Sequence, residues 1–260
     1  MLSSPVDHKR LAPSASARSV VAALVVYECE RDGTRVALPR PEIQIVARFG
    51  PSARNGVDVY AFGMRRAVLR KQIRGGQRTV TARLRLGAPD AVLGLPASEL
   101  AGRIVALEDL WGAAAARRLC ARLADARDPL EAAAHLESAI AERLASSQGQ
   151  KPCAQLALVA ANRLACADVN AVALELGVSE RHLRRVFRET VGVSPTAFSQ
   201  LERFHRALRA AREGAHASWA DIAAATGYYD QAHLIAEFRT IAGVTPRALL
   251  SELRATPPLG

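Results

Sequence analysis

The sequence predicts an α+β chain in which a β-rich N-terminal domain with following helices precedes an all-helical C-terminal domain. Three observations carry that reading. Short β-branched runs between Gly, Pro, Asn and Asp fill the stretch from Ser19 to about Leu95. Helical periodicity takes over after Pro96. The run Ser146-Ser147-Gln148-Gly149-Gln150-Lys151-Pro152 then reads as a linker, and no strand pattern reappears beyond it. The expected organisation is a first domain over 19–145, a linker over 146–152, and a second domain over 153–253.

In chain order, the stretch through Arg18 is mixed in Ser, Ala and Pro and is expected to be a loose lead-in. Strands are expected at Val20–Tyr27, Ile43–Phe49, Val57–Phe62 and Thr79–Leu86, short pieces between turn signals that suit a small barrel or sandwich. Ser98 can cap a short helix beginning at Glu99, and Leu107–Gly112 reads as a connection. Two alanine-rich amphipathic helices follow, near Ala113–Ala124 and Pro129–Leu144. The second opens with Asp128 as N-cap and Pro129 in its first turn.

Composition narrows the function classes. Half of the 260 residues are hydrophobic, yet no apolar run approaches the ~18 residues that a membrane span needs. No basic-then-apolar leader opens the chain, so export is not expected. Cys29, Cys120, Cys153 and Cys166 form no CxxC pair and lie at no metal spacing with histidine, which favours idle thiols in a reducing compartment. The formal charge of +10 points only weakly to a polyanionic partner, because most of the excess lies before residue 150. Lys9, Lys71 and Lys151 are the sole lysines, so arginine enrichment also reflects compositional bias.

An internal repeat is far more specific. Phe187-Arg188-Glu189-Thr190-Val191-Gly192-Val193-Ser194-Pro195 recurs as Phe238-Arg239-Thr240-Ile241-Ala242-Gly243-Val244-Thr245-Pro246, and upstream Ala173 and Gly177 recur as Ala223 and Gly227. Each copy has the physics of a helix-turn-helix. In the first, Val169–Leu176 is a helix with Val172 and Leu176 facing inward, and Ala173 lets a second helix approach. Gly177 stops it in a left-handed conformation, Val178 plugs the corner, and Ser179 caps the next helix. That helix, Glu180–Thr190, buries Leu183, Val186 and Phe187 and turns Arg181, Arg184, Arg185 and Arg188 outward. In the second copy Ile222 and Ala223 precede Gly227, Tyr228 is the plug, and a helix over Asp230–Arg239 buries Leu234 and Phe238.

A longer helix, Pro195–Glu213, joins the copies. Ser194 and Pro195 supply its cap and first turn, and Phe198, Leu201, Phe204, Leu208 and Ala211 form its apolar stripe. Arg203, Arg206, Arg209 and Arg212 form a second stripe that serves equally as a solvated face or a phosphate contact. Such a rigid joint can present two recognition helices to major-groove faces about 34 Å apart.

The pattern Ala-x-x-x-Gly-Val-Ser-x-x-x-Leu-x-Arg-x-Phe over Ala173–Phe187, with Gly-Tyr-Tyr-Asp-Gln-Ala-His-Leu-x-x-x-Phe-Arg over Gly227–Arg239, resembles the double helix-turn-helix domain of the AraC/XylS family. The resemblance covers roughly Cys153–Leu253. It implies a cytoplasmic, bacterial-type transcription regulator, an activator among the options, that binds double-stranded DNA through both units. Base contacts are then expected from Arg181, Arg184 and Arg185 in the first unit and from Gln231, Ala232 and Ala236 in the second. Arg239 is expected on the phosphate backbone, Ser179 and Arg188 are counted among the DNA-binding residues, and His182 and His233 pack or reach phosphate. Ala232 and Ala236 stand where the family often carries larger polar residues, which weakens base reading by the second unit. Tyr228 and Tyr229 are expected to pack rather than stack on bases.

The resemblance also implies a cupin-like barrel in the N-terminal domain. Gly94–Leu100 followed by Leu107–Gly112 is similar to one N-terminal type found in such regulators. A metal-binding cupin needs clustered histidines, and this region offers only His8 and His135, so no metal and no cofactor are expected. No Gly-x-Ser-x-Gly elbow, phosphate loop or dinucleotide fingerprint suggests an enzyme. Gln44, Arg48, Tyr60 and Arg83 are candidate effector contacts, with exposed strand faces as the plainer reading of each. RNA polymerase, a small-molecule effector and a second copy of the chain are candidate partners. A DNA-repair protein with alkyl transfer to cysteine is the competing class, but Pro152-Cys153 is followed by Ala154 and no zinc-holding thiol cluster accompanies it.

Overall fold

The computed structural model describes residues 6–50, 53, 56–147, 152–165, 167–214 and 218–255. Seven strands come first: β1 (Val6–Leu11), β2 (Val21–Cys29), β3 (Gly33–Ala37), β4 (Gln44–Phe49), β5 (Val57–Phe62), β6 (Leu69–Ile73) and β7 (Gln77–Leu84). Then follow α1 (Pro89–Leu93), α2 (Ala97–Leu100), β8 (Ile104–Ala106), α3 (Leu107–Trp111), α4 (Ala113–Ala124) and α5 (Pro129–Ala145). The remainder is helical: α6 (Pro152–Arg163), α7 (Val169–Glu175), α8 (Glu180–Val191), α9 (Pro195–Glu213), α10 (Trp219–Thr226), α11 (Gln231–Ala242) and α12 (Pro246–Ala255).

An antiparallel six-stranded sheet in the order β1-β2-β7-β4-β5-β8 faces a two-stranded sheet of β3 and β6 across a cavity. Period-two alternation decides what points where. Ile45 and Ala47 on β4, Val59 and Ala61 on β5, and Val80, Ala82 and Leu84 on β7 are buried in one core with Leu119 and Leu123 of α4 and Leu136 and Ile140 of α5. The intervening residues, including Gln44, Arg48, Tyr60 and Thr81, face the cavity. The α5 cap is as expected: Asp128 accepts from the Leu130 and Glu131 amides at 2.8 and 2.9 Å.

Several local expectations are corrected. The supposed lead-in contains β1, which pairs along β2 from Val6↔Cys29 to Leu11↔Leu24. An edge strand rich in charge has no two-sided apolar pattern to betray it. β3 and β6 were hidden for the same reason, since Arg35, Arg70 and Lys71 interrupt their hydrophobic runs. Leu107–Trp111 is a helix, not a connection, and the Trp111 indole N–H donates to the Val92 carbonyl at 2.9 Å. Ser98 caps nothing: it lies inside α2, whose N-cap position is Pro96. Most of the expected linker, residues 148–151, lies outside the described residues.

The two regions share a core. Val36, Leu38, Met64 and Val68 from the β-rich part are buried in one cluster with Phe187, Phe204, Phe238 and Leu249 from the helical part. Polar contacts align with that packing. The Val68 amide donates to the Ile241 carbonyl at 2.8 Å. The Arg70 guanidinium grips Glu252 at 2.9 and 3.1 Å and donates to the Ala242 carbonyl at 3.1 Å. His205 on α9 lies 2.6 Å from the Pro39 carbonyl, and burial pushes its imidazole down to about 4, so it stays neutral with Nε2–H as the donor.

Candidate nucleic-acid interface

Both expected helix-turn-helix units form. In the first, Asp168 caps α7 by accepting from the Ala171 amide at 2.9 Å, and Val172 and Ala173 are buried beneath it. Gly177 has φ +65°, a conformation that costs a residue with a Cβ about 1–2 kcal/mol. Ser179 then accepts from the His182 amide at 3.2 Å and starts α8, whose Leu183, Val186 and Phe187 are buried. In the second unit, Ser218 and Asp221 form a reciprocal capping box on α10. Gly227 has φ +83°, Tyr228 plugs the corner, and Asp230 caps α11 through the His233 amide at 2.7 Å. Asp230 is thus the cap before the helix, not its first residue. The connector α9 buries Phe198, Leu201, Phe204, Leu208 and Ala211 as read from its pattern.

The two reading faces differ in chemistry. On α8, Arg181, Arg185 and Arg188 are exposed and Arg184 is half-buried, forming one stripe at i, i+3, i+4 and i+7. Arg184 pairs with Glu180 and reaches Thr196 Oγ1 at 3.4 Å, while Arg185 pairs with Glu189 at 3.2 Å. The side chains of Arg181 and Arg188 make no hydrogen bond or ion pair with a described residue. Arg185 also lies 3.5 Å from His182 Nδ1, so this histidine braces the stripe. On α11, Gln231, Ala232, His233, Ala236 and Arg239 are exposed. His233 Nδ1 accepts from the Tyr229 amide at 3.4 Å and so helps close the turn.

Sequence reasoning misjudged three positions here. Tyr228 packs as expected, but Tyr229 is 93% exposed beside the start of α11. Arg203 belongs to no solvated or phosphate-facing stripe: it lies 2.5 Å from Glu237 of α11 and 4.7 Å from the Tyr228 ring centroid. Tyr228 donates its hydroxyl to Glu237 at 2.7 Å, and burial together with that carboxylate pushes the phenol well above its usual range. Arg206 is likewise structural, donating to the Ala165 carbonyl at 2.6 Å. A buried Glu at the inward position before Phe238 was the available signal for this network. Only Arg209 and Arg212 remain on an exposed stripe.

The N-terminal domain reaches both units. At the first, a Cβ added to Gly192 would lie 3.0 Å from the Ala97 carbonyl, so α2 abuts the end of α8. Ser98 borders the groove lined by Arg181, Arg184, Arg185, Arg188 and Glu189. At the second, β6 and the residue before it hold the carbonyl end of α11 through Ile241 and Ala242.

Residues 172–252 match the family described as a helix-turn-helix domain. They form a helix-turn-helix domain of the AraC type. The chain that carries this AraC-type domain is a DNA-binding transcription regulator. Among solved structures, the DNA-binding domain of AdpA, a global transcriptional factor seen in complex with a target DNA, is 28% identical. It covers 43% of this chain and 100% of its own, with a TM-score of 0.35. A DNA-binding transcriptional dual regulator from Escherichia coli K-12 is 25% identical over 42% of this chain and 97% of its own, with a TM-score of 0.33. ToxT from Vibrio cholerae O395, bound to (E)-4-(8-methylnaphthalen-1-yl)but-3-enoic acid, is 10% identical over 95% of this chain and 98% of its own, with a TM-score of 0.46. No curated protein matches the chain.

Outside the AraC-type domain, Cys29 is buried and Cys120 half-buried, both free, with burial raising each thiol. Cys166 lies outside the described residues. Among the described residues no group of three His, Cys, Asp or Glu is placed to hold a metal ion, and no helix is long and apolar enough to cross a membrane.

Proposed function

We propose that the protein binds double-stranded DNA sequence-specifically through α8 and α11, with α9 fixing their separation and the N-terminal domain modulating the grip. The observation that carries this reading is the pair of capped helices, each set after a left-handed glycine and each exposing a polar stripe. At 19 residues, α9 is about 28 Å long, which suits two contacts one helical turn of DNA apart. Arg181, Arg184 and Arg185 pair with guanine edges, and Gln231 is the amide reader of the second unit. Ser179, Arg188 and Arg239 hold phosphate, with His182 and His233 beside them. The Glu180 and Glu189 pairs do not prevent this. Exposed i, i+4 pairs contribute about 0.3–0.5 kcal/mol, whereas a bidentate arginine–guanine contact discriminates by about 1–3 kcal/mol.

The shared core and the contacts of α2 and β6 support modulation by the N-terminal domain, because movement there displaces groups that touch both units. RNA polymerase and a second copy of the chain are carried as further partners, the latter checked by sedimentation of the full chain. The test of DNA reading is selection of bound sequences from a random duplex pool at stated salt. The expected result is an enriched motif of two parts whose centres lie about 10 base pairs apart. A folded chain that enriches no sequence overturns the reading.

A further inference from the structure

We propose that Tyr229 is a positioning residue of the second helix-turn-helix unit, its hydroxyl donating to a backbone phosphate at the edge of the groove that α11 enters, a role that rests on the DNA-binding reading above. The two turns differ by one residue. In both, the residue after the left-handed glycine closes the turn with the same backbone bond. The Val178 amide donates to the Ala173 carbonyl and the Tyr228 amide to the Ala223 carbonyl, each at 3.0 Å. Ser179, the cap of α8, follows Val178 directly. In the second unit one more residue, Tyr229, stands between the plug and the cap Asp230.

The inserted side chain takes no part in packing. A hydrophobic residue just before an N-cap ordinarily folds back onto the fourth residue of the helix. Here that fourth residue, Leu234, is fully buried, while Tyr229 is 93% exposed. Its side chain makes no hydrogen bond or ring contact with a described residue. Its backbone, by contrast, is held from both sides. The Tyr229 amide donates to His233 Nδ1 at 3.4 Å, and the His233 ring stands edge-on to Tyr228 with 5.3 Å between centroids. Tyr228 is anchored on Glu237, and Asp230 accepts from the His233 amide at 2.7 Å. A ring with two side-chain torsions on a fixed backbone gives up little freedom when it makes a contact.

Placement and chemistry select the partner. N-terminal residues of a recognition helix face base edges, so Gln231 and Ala232 mark the end of α11 that enters the groove. A helix about 10–12 Å across fills a major groove about 12 Å wide. A side chain projecting just before that helix therefore meets the wall of the groove, where the phosphates run. Stacking is closed to it, because the bases of a duplex are already stacked and paired. A tyrosine hydroxyl is among the usual donors to phosphate oxygen. The Asp230 carboxylate occupies the helix end itself, so the phosphate takes its bond from Tyr229 rather than from the first amides of α11.

The experiment uses the full chain and the duplex enriched by selection. Tyr229→Phe removes only the hydroxyl. It is expected to melt with the parent and to bind that duplex about tenfold more weakly, as loss of one hydrogen bond to a charged group requires. The loss should be equal on every single-base variant of the duplex. The salt slope should stay that of the parent, because a hydroxyl displaces no counterion, whereas Arg239→Ala makes it shallower. Ethylation interference then places the contact. Ethylation of one phosphate beside the half facing α11 is expected to weaken the parent and Gln231→Ala but to leave Tyr229→Phe no weaker. Tyr229→Phe that binds as the parent does, melts lower, loses affinity only on some base variants, or stays sensitive at every phosphate the parent senses would each overturn the contact alone. A parent chain that enriches no sequence overturns the DNA reading and the contact together.

Discussion

The two helix-turn-helix units share one backbone plan and differ in what they show to DNA and in what holds them. Each is set by a side-chain cap, a left-handed glycine and an apolar plug. The first then presents an arginine stripe steadied by exposed pairs with Glu180 and Glu189. The second presents alanines and one glutamine, and a buried Arg203–Glu237–Tyr228 network binds its recognition helix to the connector. The contrast teaches that scaffold and reading face are separable. Local rules repeat the scaffold faithfully, while the stripe and its anchorage are free to diverge.

The largest expected effect breaks the anchorage of the second unit. Glu237→Ala leaves Arg203 without its counter-charge beneath Tyr228, and removing one partner of a buried pair costs about 3 kcal/mol or more. Urea denaturation is expected to show that loss, and binding to a selected site should fail first in the half facing α11. Arg203→Met combined with Glu237→Leu should recover most of the stability. An exposed, dispensable pair would instead leave both measurements unchanged.

Next comes the contrast between the reading faces. Arg185→Ala should relax discrimination at one base by about 2 kcal/mol. Gln231→Ala should weaken binding less, and Arg239→Ala should weaken all sequences evenly with a shallower salt slope. A panel of single-base substitutions measures all three variants. The assignment fails if the half facing α11 proves more selective and Arg185→Ala leaves the profile intact.

A smaller effect tests the shared scaffold. Gly177→Ala and Gly227→Ala force a Cβ into left-handed backbone, and each should cost about 1–2 kcal/mol. Nothing lies within 4 Å of the added atom at Gly177, and only arginine side-chain ends do at Gly227, so the two costs should match. Thermal melts that separate them by more than their error would show that the turns are not equivalent. Smallest of all, Ser179→Ala and Asp230→Ala each remove one N-cap bond, at about 1 kcal/mol. Asp230→Ala should cost the more, because its bond is 2.7 Å against 3.2 Å for Ser179.

Legibility in the sequence followed the range of the interactions. Caps at Asp128, Ser179 and Ser194, the stops at Gly177 and Gly227, and the inward stripe of α9 were all readable, because each acts within about one helical turn. The strands from Val57 and Gln44 were readable from alternation, whereas β1, β3 and β6 were not, since charge masks their pattern. Gln44, Arg48 and Tyr60 stood out as candidate contacts, yet their plainer reading as exposed strand faces was wrong: they are half-buried and line the cavity. Arg83 is also buried on that side of β7, although it does not line the cavity.

The amino-acid sequence by itself therefore determined helices α4, α5 and α7 to α11 and the two arginine- and alanine-faced units, because those depend on residues three or four positions apart. Tertiary structure alone decided that Arg203 meets Glu237, that β6 and α2 touch the recognition helices, and that Lys71 and Arg65 share a cavity without a carboxylate. Alternation states which face of a strand a side chain takes. Only the packing of distant segments states whether that face meets water, an opposite charge, or another cation.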